Sequence, residues 1–208
     1  MTEDEAVQWV AARFGVSRET SLRKFEAILR EEAPRQNLIS ASSFDQLWSR
    51  HFVDSAQLID AASGARADGI WLDVGTGAGM PGLIVAILID RPVVMVEPRA
   101  KRADFLYRAA VMLGIGSRVE VQPRRIETYH PPESAAVVSA RAVSELSQLL
   151  SSTYHCTDSS TIWLLPKGRA AQSEVEAARS KWQGSFHVEQ SVTQADSGIV
   201  IAQGVRPR

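Results

Sequence analysis

The chain has a single cysteine, Cys156, among 208 residues, so no intrachain disulfide can staple it. One thiol also excludes a metal centre built on paired cysteines and points to a reducing compartment. No apolar run approaches the ~20 residues that a membrane-spanning helix requires. Neither sign of charge dominates: 23 Lys and Arg face 24 Asp and Glu, a net charge of −1. Any surface for a polyanion must therefore be local. Internal repeats and low-complexity tracts are missing, which argues against a solenoid or a disordered chain. The acidic start Thr2-Glu-Asp-Glu5 is unlike a secretory leader. The expectation left by these absences is a cytoplasmic, monomeric protein with no metal site. At this length it is one domain, or one domain with a small appendage.

What the sequence does have is a stretch from Ile70 to Gly82, Ile-Trp-Leu-Asp-Val-Gly-Thr-Gly-Ala-Gly-Met-Pro-Gly. The apolar run before Gly75 reads as a buried strand with one acid, Asp73. The apolar run from Leu83 to Ile89 reads as a buried helix. Strand, glycine turn and helix open a nucleotide-binding βαβ unit. Pro81 suits the first helical turn, where a missing N–H costs nothing. Gly77-Ala-Gly79-Met-Pro-Gly82 matches G-x-G-x-x-G, so a dinucleotide is one reading, and a purely structural turn is another. Asp73 favours a third. A carboxylate two residues before the first glycine repels a diphosphate and suits a cation, and Asp-x-Gly-x-Gly-x-Gly looks like motif I of class I methyltransferases. Their ligand, S-adenosylmethionine, is cationic and carries no phosphate.

The flanking pattern extends the unit. Thr2 to Glu5 forms a capping box ahead of a first helix that Gly15 stops. A second helix runs from Ser17 to Pro34, and a third from near Ser43 to about Ala62. On the third, His51 and Ser55 share a face with Leu47, Trp48 and Leu58, which gives either a buried hydrogen-bond cluster or a ligand contact. Beyond the polar loop 64–69, strands are predicted at 70–74, 93–96, 119–121, 135–138 and 162–165. Helices lie between them, with one over 143–154 and one over 170–182, and a hairpin joins 187–192 to 199–201. The pattern predicts an α/β fold with a doubly wound, mostly parallel sheet, made of a helical cap (1–63) and a core (64–208). Ligands of such sheets bind past the carboxyl ends of the strands. Asp73 and Glu97 end the first two strands, and Glu97 is placed for ribose hydroxyls. Arg141 and Lys167 follow the fourth and fifth, giving one half suited to a cationic cofactor and one to a polyanionic substrate.

The residues Asn37-Leu38, Arg50-His51 with Asp54-Ser55, Asp73 to Gly82, Arg141-Ala142 and Leu165-x-Lys167-Gly168 resemble the RsmG (GidB) family of methyltransferases. These modify guanine N7 in small-subunit (16S) ribosomal RNA. The resemblance implies a Rossmann-like, seven-stranded class I methyltransferase core. It also implies S-adenosylmethionine bound by Gly75, Met80, Ile126, Glu127 and Arg141, with Asp73, Gly77 and Glu97 as further contacts. Arg141 and Lys167 are the expected catalytic pair. Arg50, Arg99, Lys101, Arg102, Arg124, Arg125 and Lys167 are the expected RNA contacts, with ribosomal RNA or an assembling small subunit as partner. The chain departs from the family pattern at Pro98, Ala140 and Asp196-Ser-Gly198. A non-catalytic cofactor-bound RNA-binding module and a dinucleotide-dependent oxidoreductase are the competing functional classes.

Overall fold

A computed structural model of the chain describes residues 1–208, the side chain of Ala41 excepted. The first helix, α1 (Glu3–Phe14), carries the expected capping box: the Glu5 amide donates to Thr2 and the Thr2 amide to Glu5. Gly15, at φ +85°, turns the chain directly into α2 (Val16–Glu32). The expected third helix is broken. A 3-10 turn (Ala41–Gln46) and a π turn (Trp48–Phe52) precede α3 (Val53–Ala61). The cause is tertiary: the Glu3 carboxylate accepts from the amides of Trp48 and Ser49 at 2.9 and 2.8 Å. Those amides would otherwise continue an α-helical ladder.

The rest alternates: β1 (Trp71–Val74), α4 (Gly82–Leu88), β2 (Val93–Val96), α5 (Ala100–Met112), β3 (Val119–Gln122), β4 (Val137–Ala140), α6 (Leu146–Thr153), β5 (Ile162–Gly168), α7 (Ala171–Ala178), β6 (Trp182–Gln190) and β7 (Gly198–Pro207). The seven strands lie in the order β3-β2-β1-β4-β5-β7-β6, and only β7 runs against its neighbours. The strand order reverses at β1, between β2 and β4, which is where an open parallel sheet leaves a crevice for a ligand. One face of the sheet packs on α4, α5 and the leading helices through residues such as Phe25, Phe52, Trp71 and Ile84. The other face packs on α6 and α7 through Leu72, Leu149, Trp163 and Val175.

Several boundaries move from the sequence expectation, and β5 runs on to Gly168, so Lys167 lies inside the strand rather than after it. β4 starts at Val137 rather than Ala135, because the Ala135 amide donates to Cys156 and the Ala136 amide to Ile70. The shift brings Ser139 into register beside Asp73. α6 starts at Leu146 rather than Val143: Ala142 takes φ +54°, and the Leu146 amide is capped at 2.7 Å by Glu174 from α7. α7 ends at Ala178. Trp182, expected in that helix, instead begins β6, pairs with Pro207 and packs its ring on Tyr154. The closing hairpin is accordingly longer than the sequence pattern indicates.

Candidate functional site

Four glycines shape the loop between β1 and α4. Gly75, Gly77 and Gly79 all have positive φ (+66°, +58° and +95°), a region that side chains rarely adopt. Gly82 has an ordinary φ, but a Cβ there would come within 2.8 Å of the Asp73 carboxylate and of Met95. Two carboxylates hold the loop from inside. Asp73, fully buried, accepts from the Gly82 amide at 2.8 Å and from the Ser139 hydroxyl at 2.6 Å. Ser139 accepts in turn from the Trp71 indole. Burial pushes the Asp73 carboxyl up to about 6, against the lowering effect of Ser139 and the Gly82 amide. Glu97, also buried, accepts from the Gly77 amide at 2.9 Å and from the Arg99 amide at 3.0 Å. Each of its oxygens can still accept a second hydrogen bond.

Beside this loop lies a cleft of about 210 Å³, lined among others by Gly75, Ile126, Glu127 and Val143. Ile126 forms part of its buried wall, Glu127 is exposed at its rim, and Met80 is buried at the base of the loop. Of the expected cofactor residues, Gly75, Ile126 and Glu127 line this cleft, Gly77 and Glu97 are joined to each other by a hydrogen bond, Asp73 and Met80 are buried beneath the loop, and Arg141 lines a different cleft. An apolar wall, the Glu127 carboxylate at the rim and a glycine turn without side chains fit S-adenosylmethionine, a nucleoside with a cationic tail.

A second cleft, of about 680 Å³, opens past the ends of β4 and β5. Val143 lines both clefts, so the segment 141–145 is the partition between them. Here the geometry departs from a pair of free cations. Arg141 donates to His51 Nδ1 at 3.0 Å, reaches the Arg50 carbonyl at 3.5 Å and pairs with Asp54 at 3.5 Å. Burial works against its charge, while Asp54 and Asp73 support it. Lys167 is nearly buried, donates to the Ser144 carbonyl and pairs with Glu174 at 3.0 Å. Glu174 thus braces the Ser144–Leu146 end of the partition, through Lys167 and through the Leu146 amide. The expected cluster of His51 and Ser55 is real in part. Ser55 donates to the His51 carbonyl, as an intrahelical bond, while the His51 ring turns to Arg141.

Asp54 is the hub of this side. Besides Arg141, it accepts from Gln57, Ser191 and Thr193 at 2.9, 3.3 and 3.2 Å, tying α3 to the turn between β6 and β7. Ser191, Thr193 and Glu174 lie far from the glycine loop in sequence and carry no motif that marks them. The basic residues fall in two places. Arg50 is exposed at the second cleft. Arg99 and Lys101 are exposed at the start of α5, with Arg102 half-buried beside Gly77 and donating to the Asn37 carbonyl. Arg124 and Arg125 are exposed, and Arg125 lines the smaller cleft.

The sheet order, the glycine loop and the acid closing β2 define the class I methyltransferase fold. Solved structures with that fold include an O-methyltransferase from Thermotoga maritima (TM-score 0.57, 12% identity, covering 87% of this chain and 72% of that one). Another is the O-methyltransferase TomG from Streptomyces achromogenes in complex with S-adenosylmethionine (TM-score 0.57, 13% identity, covering 88% and 89%). A family model, rRNA small subunit methyltransferase G (GidB), matches residues 18–200. The ribosomal RNA small subunit methyltransferase G of Rhizorhabdus wittichii is 43% identical over 100% of this chain and 95% of its own length. That of Zymomonas mobilis is 40% identical over 100% and 96%. The chain belongs to the rRNA small subunit methyltransferase G family.

Proposed function

We propose that the protein is an S-adenosylmethionine-dependent ribosomal RNA methyltransferase that acts on N7 of a guanine in the small subunit. The observation that carries this reading is the partition 141–145, which a nucleoside-sized cleft and a larger substrate cleft share through Val143. S-adenosylmethionine, when bound, supplies a methyl group on a positively charged sulfur.

The chain's own residues do the rest. Gly75, Gly77 and Met80 form the floor of the cofactor site, with Asp73 holding the loop from below. Glu97 is the acceptor for ribose hydroxyls, and Ile126 and Glu127 frame the base. Guanine N7 has a free lone pair in its neutral form, so no general base is required. The second cleft accords with this. Among its lining residues the one imidazole, His51, is held as an acceptor toward Arg141, and Arg141 and Lys167 are paired with carboxylates. The chemistry left to the protein is alignment and exclusion of water. Arg141 and Lys167 serve by fixing the partition on either side of the reacting atoms. Arg50, Arg99, Lys101, Arg124 and Arg125 face outward as phosphate contacts, with the half-buried Arg102 behind them. Residues 1–63 act as a cap, because Arg50, His51 and Asp54 reach the cleft from there. The lone buried thiol suits the cytoplasm. No helix of the described residues is long and apolar enough to cross a membrane.

Calorimetric titration with S-adenosylhomocysteine and with NAD(H) tests the cofactor assignment. Binding of the first alone is expected, and binding of NAD(H) alone would return the dinucleotide reading.

A further inference from the structure

His51 stands half-buried in the wall of the larger cleft. Its Nδ1 lies 3.0 Å from a guanidinium nitrogen of Arg141. A guanidinium has donors and no acceptor, so Nδ1 must be the acceptor and the ring proton must sit on Nε2. Nε2–H has no protein partner among the described residues, while the ring itself is pinned. Arg141 is pinned in turn by Asp54, which three further side chains from α3 and the β6–β7 turn hold in place. The result is one neutral donor of fixed direction in a cleft where Arg141 and Lys167 are both paired with carboxylates.

We propose that the Nε2–H of His51 is the group that reads O6 of the guanine whose N7 is methylated, an inference that rests on the function proposed above. N7 and O6 are neighbouring acceptors on one edge of guanine, and adenine presents a donor in place of O6. An enzyme that alkylates N7 must leave that lone pair free, so recognition falls to O6. The base gains positive charge as it is methylated. A cation at O6 would oppose that charge, whereas a neutral donor does not. Burial, with Arg141 and Arg50 beside it and Glu3 opposing them, pushes the His51 pKa down to about 4, so the ring stays neutral at physiological pH. Arg141, the obvious candidate from sequence, is a positioning residue here: its Nη1 is shared among His51, the Arg50 carbonyl and Asp54.

The test is a cycle between side chain and base. Small subunits are reconstituted with RNA carrying either guanosine or 2-aminopurine riboside at the methylated position. 2-Aminopurine keeps N7 and lacks O6. On guanosine, His51→Ala is expected to lower the single-turnover rate of methyl transfer by roughly tenfold to a hundredfold, the range for losing one well-placed hydrogen bond. On 2-aminopurine, wild type and variant should agree within about twofold. Unchanged S-adenosylhomocysteine affinity shows that the variant is folded. An equal defect on both bases overturns the proposal. So does an ¹⁵N-histidine spectrum of the wild-type protein that shows His51 protonated on Nδ1 at neutral pH. Wild-type protein that transfers no methyl group to the guanosine-bearing subunit refutes instead the activity on which the proposal rests.

Discussion

The two halves of the site are built by different means. On the β1–β2 side, Asp73 and Glu97 act on main-chain amides: both carboxylates are buried, and both grip the glycine loop that lies within a few residues of one strand or the other. On the β4–β5 side, the contacts run between side chains from remote segments: Arg141 to Asp54 and His51, Lys167 to Glu174, Asp54 to Ser191 and Thr193. The first half is a backbone device and tolerates few residue types at its glycines. The second is a side-chain network, whose members depend on one another and whose removal effects are non-additive. Recognition of a nucleoside cofactor needs the first kind. Orientation of one base in a large RNA needs the second.

That division sets the size of the expected effects. Arg141→Ala strips His51 of its orienting partner and leaves Asp54 without a counter-charge. It should lower kcat/KM for methyl transfer by roughly a hundredfold or more, equivalent to about 3 kcal/mol, with S-adenosylhomocysteine affinity changed only a few-fold. A loss confined to cofactor binding would place Arg141 on the other side of the division. Asp73→Asn comes next, and its effect depends on pH. The buried carboxyl titrates near 6, above its ordinary value of 3.8, so between these values the folded chain holds a proton that the unfolded chain has released. Stability from that proton is complete below pH 4 and is lost as the pH rises through 6. Asparagine does not ionise. The variant should gain on wild type by up to about 3 kcal/mol across that window and hold a constant difference above it, read from urea melts. A difference that does not vary with pH would mean that the acid is ionised throughout.

Glu97→Gln is a smaller perturbation, because a carbonyl oxygen can still hold the Gly77 amide. We expect S-adenosylhomocysteine binding to weaken by roughly threefold to tenfold, about 1 kcal/mol, as a charge-assisted hydrogen bond becomes neutral. Wild-type affinity would remove the ribose assignment. The smallest effects belong to the exposed cations. Neutralising any one of Arg99, Lys101, Arg124 or Arg125 should reduce the slope of log affinity for RNA against log salt by about 0.7. A slope that stays the same would take that residue off the RNA surface.

How much of this was legible in the sequence follows the same division. The glycine loop, Asp73, the acid ending β2 and the alternation of strands and helices depend on local pattern, and the structure has them within a few residues of where that pattern puts them. Local pattern also hides the exceptions. The helix around Trp48 is broken by Glu3, 45 residues away, which takes two of its amides. Trp182 reads as the end of an apolar helical stripe, but its place is set by pairing with Pro207. Arg141, Lys167 and His51 were visible as residues and not as a network. Nothing near Lys167 in sequence shows that Glu174 will occupy it, and nothing near Asp54 shows that Ser191 and Thr193 will converge on it. Side-chain networks between distant segments are a product of the fold, so their roles appear only once the sheet order is known.

The most direct measurement is the identity of the methylated atom. Small subunits lacking the modification are incubated with the protein and S-adenosylmethionine labelled in its methyl group, and their RNA is digested to nucleosides. A single labelled product, 7-methylguanosine, is the predicted result. Label on an exocyclic amine or a ribose hydroxyl, or no label at all, would contradict it.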